Sequence, residues 1–446
     1  MKQLFVILAA GALTATASAG WIDAILNVPA FPDRLCYNSV NDKVYCLCYE
    51  AESVAVIDCA SNVVVRSLAL DDSPEDLCYN PTRNKVYCAA DTILWVFDGA
   101  SDAVITSFRF RPGAHWALCY NSQNDRVYYS YGELSGPDSV CVVDGESNAI
   151  IARIQAGGWY HMLGYHKPSN KVYCTENSNT VTVIDGAGDS VVASVPVGGM
   201  PDQICSNPQD NKVYCANDSD NGTVTVIDGA SNAVLATDPI GSMILDLCYD
   251  SVDDRVFCLA ESGFSVIDGA SNHVVGTVPV DSAPFACCYC SRPDRVLSLC
   301  PNSSRVTVID AKRLSVDTSL DVGLRPAYGC YNPKDDKAYT ANSYGSTVSV
   351  LNASTDIGIE ECRPAVAAVS RASATIMEGV LFLPEASGWW SQAASLLDAT
   401  GRRVMELHSG ANDVRALAPG VYFVRKQGSR SQGFEDSSVN KVVITR

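Results

Sequence analysis

Short segments that alternate apolar and polar residues fill most of the chain, and they recur in one fixed order. The first recurring phrase is Leu-Cys-Tyr-Asn or a variant, the second is Asn-x-Val-Tyr, and the third is Val-Ile-Asp-Gly. Each phrase is rich in β-branched and aromatic residues with a period of two, which is typical of β-strands. No segment keeps the helical period of about 3.6 residues, so the pattern predicts an all-β chain and argues against a helical solenoid.

The three phrases occur eight times, spaced by about 42 residues, and this spacing is typical of propeller blades. A fourth β-like segment follows most copies, as in residues 191–197. The second phrase places an aromatic or Leu at Tyr45, Tyr87, Tyr128, Tyr173, Tyr214, Phe257, Leu297 and Tyr339. The third phrase places its Asp, or Asn in the last copy, at Asp58, Asp98, Asp144, Asp185, Asp228, Asp268, Asp310 and Asn352.

Turn sequences separate the phrases. Asn-x-x-Asn/Asp-Lys/Arg joins the first two strands, and Asp-Gly-Ala-Ser-Asn joins the last two, where we expect Gly and Asn to supply positive φ. Four antiparallel strands in each repeat predict an eight-bladed β-propeller, with a seven-bladed ring as the alternative. Residues 21–28 resemble a fourth strand that precedes the first copy. We therefore expect this segment to complete the last blade and so remove the open edges.

Several copies resemble the YVTN-type β-propeller repeat of secreted and cell-surface proteins. The resemblance lies in "NKVYCANDSDNGTVTVIDGASNAVLAT" (residues 211–237) and "NKVYCTENSNTVTVIDGAGDSVVASVPVGG" (residues 170–199), and it covers about three quarters of the chain. It implies a surface binding or structural module, and no catalytic residue set comes with the repeat.

The ends of the chain differ from the repeats. Residues 1–19 combine Lys2, an apolar run and Ala17-Ser18-Ala19, a pattern that predicts a cleaved signal peptide and hence a secreted or outer-surface protein. After this leader no apolar run is long enough to span a membrane. The net charge of −18 argues against a nucleic-acid partner.

We assign residues 20–356 to the propeller, 357–366 to a linker and 367–446 to a C-terminal domain. Short strands with Gly turns predict a small β-sandwich there. The phrases "LLDATGRRV", "LAPGVYFVR" and "KVVITR" resemble the C-terminal sorting domain of the type IX secretion pathway, although the Asn-Pro opening of that family is missing. The resemblance implies that this domain directs export through the secretion machinery; a plain β adhesion module is the alternative.

One rim of the ring stands out when the copies are compared. The third and fourth copies replace a loop proline by bulky residues, and the third also has a long acidic loop. These copies are neighbours, so we expect one cluster on the variable face. The candidate ligand-binding residues are His115, Trp116, Glu133, Trp159, Tyr160 and His161. They could stack on a sugar, peptide or aromatic ligand, or they could instead fill the central channel.

The chain contains 19 cysteines, and their placement leaves two interpretations open. Four pairs lie ten residues apart across one hairpin, which makes cross-strand disulfides conceivable. Other copies replace one member of the pair, so the cysteines could equally act as small buried apolar residues. The possible disulfides are Cys36–Cys46, Cys78–Cys88, Cys205–Cys215 and Cys248–Cys258.

No catalytic motif, cofactor fingerprint or metal-ligand spacing is evident in the sequence. We therefore expect no cofactor, no metal and no catalytic residues. The sequence favours an exported, non-enzymatic propeller that binds a protein, peptide or glycan at the cell surface or has a structural role there. The alternative is a propeller enzyme, lyase- or lactonase-like, that uses the aromatic and histidine rim of the third and fourth blades.

Overall fold

The computed structural model describes residues 20–110, 115–132, 139–155, 160–176, 178–219 and 221–354. In the C-terminal part it describes residues 375–377, 380–383, 394–397, 402–407, 410–413, 420–426 and 439–444. The chain divides into two compact units, Met1–Gly358 and Ile359–Arg446. Every regular element in the described residues is a β-strand, which confirms the all-β class.

The first unit is an eight-bladed β-propeller and not the seven-bladed alternative. Its chain begins with β1 (Ile22–Asn27), which belongs to the last blade. The first blade contains β2 (Pro32–Asn38), β3 (Lys43–Cys48), β4 (Ser53–Asp58) and β5 (Val63–Ala69). The second contains β6 (Pro74–Asn80), β7 (Lys85–Ala90), β8 (Ile93–Asp98) and β9 (Val104–Arg109). The third contains β10 (His115–Asn121), β11 (Arg126–Tyr131), β12 (Ser139–Asp144) and β13 (Ile150–Gln155).

The next four blades repeat this order. The fourth contains β14 (Tyr160–His166), β15 (Lys171–Glu176), β16 (Thr180–Asp185) and β17 (Ser190–Pro196). The fifth contains β18 (Pro201–Asn207), β19 (Lys212–Asn217), β20 (Thr223–Asp228) and β21 (Val234–Pro239). The sixth contains β22 (Ile244–Asp250), β23 (Arg255–Ala260), β24 (Gly263–Asp268) and β25 (Val274–Val278). The seventh contains β26 (Ala286–Cys290), β27 (Arg295–Cys300), β28 (Arg305–Asp310) and β29 (Ser315–Asp321).

The eighth blade closes the ring, as the sequence predicts. It contains β30 (Pro326–Asn332), β31 (Lys337–Asn342) and β32 (Thr347–Asn352), and its fourth strand is β1. β1 pairs antiparallel with β32, and the carbonyl of Trp21 accepts a hydrogen bond of 2.8 Å from the backbone N–H of Asn352. Trp21 is buried, and the guanidinium of Arg295 lies 4.8 Å from the centre of its ring. The first and last parts of the propeller sequence therefore share one sheet.

The core lies between the blades, because each sheet packs both faces against its neighbours. The position of the second phrase that is aromatic in seven blades and Leu297 in the other lies in the second strand and is buried. Tyr45 shows how this side chain is used: its ring is inside the core, while its hydroxyl donates to Asp102 in the next blade. The hydroxyls of Tyr128 and Tyr173 also donate to the next blade. In these three blades the side chain couples apolar packing to a polar contact between blades.

The first strands of neighbouring blades are joined at their ends by side-chain contacts, which we call the amide contacts. In six blades the last residue of the first strand reaches the positive-φ residue in the first turn of the next blade. The amide contacts are Asn38–Asn84, Asn80–Asp125, Asn121–Asn170, His166–Asn211, Asn207–Asp254 and Asn332–Asp42, at 2.7 to 3.1 Å. At the two remaining interfaces Tyr289 bridges Asp250 and Asp294, and Arg292 pairs with Asp336.

A second set, the cation contacts, occurs at all eight interfaces. The Lys or Arg that opens the second strand of one blade donates to a backbone carbonyl in the last turn of the next blade. The donor–acceptor pairs are Lys43–Ala100, Lys85–Gly145, Arg126–Gly186, Lys171–Gly229, Lys212–Gly269, Arg255–Ala311, Arg295–Ala353 and Lys337–Cys59. Both turn sequences of the repeat therefore serve the interfaces between blades.

The glycine of the Asp-Gly-Ala-Ser-Asn turn is not required for positive φ, which is the role that the sequence suggests. Positive φ occurs at the turn residue that precedes the outer strand, for example Asn62, Asp102 and Asn232, but not at the glycine. A Cβ atom on Gly186 would lie 2.4 Å from Asn121 Nδ2 and 2.7 Å from the carbonyl of Asn170. The glycine is therefore needed because the amide contact passes directly over it.

The second unit contains two antiparallel sheets. One consists of β33 (Thr375–Met377), β34 (Val380–Leu383) and β37 (Gly410–Asp413). The other consists of β35 (Ala394–Leu397), β36 (Arg403–Leu407), β38 (Gly420–Lys426) and β39 (Val439–Ile444). Its core includes the buried Leu396 and Leu407. The unit is all-β, as expected; the face-to-face packing of a sandwich stays a prediction.

Two glycines of one turn provide a matched test of the amide contacts. Replacing Gly186 by Ala should lower the free energy of unfolding by about 1–3 kcal/mol, because the added methyl overlaps Asn121 and Asn170. Replacing Gly188 by Ala should change it by less than about 1 kcal/mol, because there the new Cβ approaches only the end of the Asp185 side chain, at 3.0 Å. Urea unfolding of both variants measures the difference, and equal stabilities would contradict the role given to Gly186.

Candidate ligand site in the central channel

The two faces of the ring differ in whether their loops form the repeated contacts between blades. The first turn of each blade and the turn before the outer strand emerge on one face, and these turns form the amide and cation contacts. The other face carries the loop between the second and third strands and the connection to the next blade. The first strands begin at this second face, which we call the variable face. Side chains near those strand starts are therefore free of contacts that the repeat requires.

The residue at one position near the start of the first strand differs between blades. It lies two residues before the position that pairs with the buried aromatic. Around the ring this position holds Arg34, Asp76, Ala117, Met162, Gln203, Asp246, Ala286 and Tyr328. Six of these eight residues line one cavity of about 260 Å³, together with Asp202, Asp218, Ile244, Leu245 and Phe285. Because six blades contribute to this lining, the cavity lies in the central channel.

Among the described residues that line this cavity, Arg34 is the only cationic one. Its guanidinium lies 4.3 Å from the centre of the Tyr328 ring and its Nε is 4.0 Å from Asp76 Oδ1. Burial lowers the pKa of Arg34, but Asp76, Tyr328, Asp33 and Asp246 together raise it above the ordinary value. The charge of Arg34 is thus held by partners of this chain.

Two carboxylates are fixed to the channel wall by backbone donors of the next blade. Asp76 Oδ2 accepts from the N–H of Leu118 at 2.7 Å, and Asp246 Oδ2 accepts from the N–H of Cys287 at 2.8 Å. The second oxygen of each accepts the N–H of the following residue in its own strand. Each carboxylate therefore has one defined orientation and joins two blades.

Four carboxylic acids in or near the channel have a raised pKa. Burial raises the pKa of Asp246 to about 6, against the opposing effect of its hydrogen bonds from Cys287 and Leu247 and of the Arg34 charge. Burial is also the main reason why the pKa values of Asp33, Asp76 and Asp218 are raised. Burial thus deprives these carboxylates of hydration, and a cationic partner would stabilise their charged form.

An aromatic pair lies beside the charged residues. The rings of Phe285 and Tyr328 meet edge to face, with centroids 5.6 Å apart. Phe285 is 42% exposed, although it is a large apolar side chain. On the opposite wall Met162 adds a further apolar surface. The cavity thus combines aromatic and aliphatic surface with oriented carboxylates, as ligand sites commonly do.

Of the six residues that the sequence singles out, four lie with their backbones in the described part of the structure. The backbones of His115, Trp116, Tyr160 and His161 open the neighbouring strands β10 and β14. The side chains of these four residues, and Glu133 and Trp159 entirely, lie outside the described part of the structure. A ligand-binding role of this rim therefore stays a prediction.

Sequence reasoning missed Arg34, Asp76 and Asp246. It compared the loops between blades, whereas these residues lie within the first strands. Aligning the copies on the Leu-Cys-Tyr-Asn phrase would have exposed them, because this position changes from Arg to Asp to Tyr while the residue after it is Leu or Ile in six blades. Only the closed ring shows that these positions meet across one channel.

The strand register argues against the four predicted disulfides. Cys36 pairs with Tyr45, and Cys46 pairs with Leu35, so the two cysteines point to opposite faces of their sheet. The same offset separates Cys78 from Cys88, Cys205 from Cys215 and Cys248 from Cys258. All cysteines in the described residues are free thiols, and most are buried in the core. This agrees with the alternative that they act as small apolar residues.

In the described ranges no group of three or more His, Cys, Asp or Glu side chains is arranged to hold a metal ion. None of the described segments is a helix that is long and apolar enough to cross a membrane.

Comparison with known proteins shows the fold. The computationally designed Ika8 protein superposes with a TM-score of 0.62 at 16% identity, over 74% of this chain and 99% of that one. A chain of Kuenenia stuttgartiensis hydrazine synthase superposes with a TM-score of 0.50 at 18% identity, over 62% of this chain and 94% of that one. No family model and no curated protein matches the sequence. At such low identities the likeness shows the β-propeller fold alone.

The raised pKa of Asp246 can be measured directly. We expect its side-chain carboxyl carbon to titrate near pH 6 in NMR spectra, whereas Asp58, whose pKa is lowered by hydrogen bonds from Ser61, should titrate below the ordinary Asp value. The proton binds the folded state more tightly than the unfolded state, so Asp246 should lower stability as the pH rises from about 4 to about 6. Loss of the signal in Asp246→Asn assigns it; titration near pH 4 would contradict the burial argument.

Proposed function

We propose that this protein is an exported, non-enzymatic propeller that binds a cationic group of a peptide or protein in its central channel. The observation that supports this most strongly is the charge balance of the cavity wall. Asp202, Asp218 and Asp246 line the cavity with Arg34. Three carboxylates against one guanidinium leave the wall negative, so a cationic guest complements it.

The state of these charges strengthens the argument. Arg34 is engaged with Tyr328 and Asp76. In contrast, Asp218 Oδ1 is buried and has no hydrogen-bond partner among the described residues. A buried carboxylate oxygen without a donor is costly, and an ammonium or guanidinium group would supply one.

The size and the aromatic surface of the cavity restrict the guest. A volume of about 260 Å³ accommodates one side chain or a small molecule, but not a folded domain. Tyr328 and Phe285 offer ring surface for the aliphatic part of such a group. A Lys or Arg side chain combines these properties, whereas an uncharged glycan lacks the cation. We therefore favour a basic peptide segment over a glycan.

A pair of nearly isosteric probes tests this proposal. Butylguanidinium should bind the full chain, and butylurea, which has a similar shape without the charge, should bind at least about 10-fold more weakly by isothermal titration calorimetry. Asp246→Asn should weaken butylguanidinium binding by about 10-fold, because it removes one negative charge from the wall. Affinity should also fall as the pH drops through about 6, where Asp246 gains its proton.

A matched variant separates the site from the net charge of the chain. Asp71→Asn removes one exposed carboxylate that pairs with Arg109 and does not line the cavity. It should leave butylguanidinium affinity within about 2-fold of wild type, since surface charges are screened by salt. Equal binding of butylguanidinium and butylurea, or equal losses in Asp71→Asn and Asp246→Asn, would rule out the channel as a cation site.

We also propose that the C-terminal domain directs export. The leader pattern of residues 1–19 and the sorting-domain phrases support this. Deleting residues 366–446 should leave a protease-resistant propeller that accumulates in the periplasm of the producing cell. Fractionation followed by immunoblotting measures this, with the full chain as control. A deletion variant that still reaches the outer surface would disprove the sorting role.

A further inference from the structure

The seventh blade differs from most others at one position of its first strand. This position precedes the residue that pairs with the buried aromatic of the second strand. Six blades place Leu or Ile there, and the eighth has Gly329. The seventh has Cys287, which is partly exposed. The six aliphatic residues are Leu35, Leu77, Leu118, Leu163, Ile204 and Leu247.

The side chain at this position packs against the cysteine of the preceding blade. Between the second and third blades, Cys78 and Leu118 belong to one core cluster. At the interface of the sixth and seventh blades the corresponding residues are Cys248 and Cys287, and both pack against the same cluster. Cys248 and Cys287 are therefore neighbours across this interface. A thiol thus meets a thiol where the repeat normally brings a thiol to an aliphatic side chain.

The backbone holds this pair together. Asp246, two residues before Cys248, accepts a hydrogen bond of 2.8 Å from the N–H of Cys287. The strands β22 and β26 therefore cannot separate without breaking a buried charge-assisted contact. Both cysteines are among the four described cysteines that are only partly buried. A small oxidant could therefore approach them from the channel.

We propose that Cys248 and Cys287 form a disulfide that joins the sixth and seventh blades at the wall of the central channel. The oxidant is a small disulfide such as oxidised glutathione. One thiolate attacks it, forms a mixed disulfide and releases one glutathione thiolate. The second cysteine, as thiolate, attacks the mixed disulfide and releases the second glutathione thiolate. Two protein thiols are oxidised, two protons are released to solvent and the glutathione thiolates take up protons according to pH.

The neighbouring Cys287 thiol lowers the pKa of Cys248, although burial and the charge of Asp246 raise it overall. Burial raises the pKa of Cys287 well above the ordinary value. The thiolate is the reactive form, so oxidation should become faster as the pH rises.

Peptide mapping tests the bridge on the full chain. The protein is reduced, freed of reductant, incubated with oxidised glutathione, and then denatured with an alkylating reagent that blocks every remaining thiol. We expect a cross-linked peptide pair that contains Cys248 and Cys287, with the mass of both peptides less two hydrogens. Both residues should be found alkylated in the sample that was never oxidised.

Two variants serve as controls. Cys287→Leu restores the residue of the other blades, so it should fold and should lose the cross-linked peptide. Cys36→Ser changes a partly exposed cysteine at the position equivalent to Cys248, whose neighbour in the next blade is Leu77 rather than a cysteine. It should keep the Cys248–Cys287 bridge at the wild-type yield.

Two results would overturn the proposal. One is complete alkylation of Cys248 and Cys287 after oxidation, and the other is a cross-link from either residue to a different cysteine. Since the decisive measurement is made on the wild-type chain, it does not depend on the folding of a variant. It is also independent of butylguanidinium binding, so either proposal can fail alone.

Discussion

The hydrogen bonds that pass from each blade to the turn of the next are the interaction on which the propeller depends. A four-stranded sheet cannot bury both of its faces alone, so each blade needs two neighbours. Apolar packing supplies most of the attraction but is not directional. The amide and cation contacts add direction, because a donor in one blade must meet an acceptor at a fixed place in the next. Asn332 meets Asp42 in the same way and brings the last blade to the first.

The same contacts explain why one face of the ring is uniform. Asn38, Lys43 and Gly99 show that both repeated turns carry residues whose partners lie in another blade. Changing one of them leaves a buried donor or acceptor unpaired, or places a Cβ in occupied space. The start of the first strand takes part in no contact that every blade repeats. Asp76 and Asp246 accept a backbone N–H of the next blade, whereas other blades place Arg34 or Tyr328 at the same position. A specific site can therefore arise there.

The cysteines show how strongly register decides chemistry. A shift of one residue in a strand pair moves a side chain to the other face. Cys36 and Cys46 are close in sequence, yet the register turns them towards different blades. Cys248 and Cys287 belong to different blades, yet the packing of first strands places both against the same core cluster. Spacing within a hairpin is thus a poor guide to thiol pairing in a propeller, where side chains mainly meet those of the next blade.

The sequence alone determined the class of the fold and the closing strand, and it favoured eight blades over seven. Strands and turns are local, and eight copies of one pattern, such as those around Tyr45 and Tyr214, leave little freedom. The tertiary structure decided which residues share the channel. Arg34, Asp246 and Tyr328 are far apart in the sequence and meet only when the ring closes. It also decided the role of Gly186, since the side chain that passes over it comes from another blade. Each repeat contains the periodic pattern that forms its own strands. Contacts across the ring, in contrast, require all eight blades to pack together.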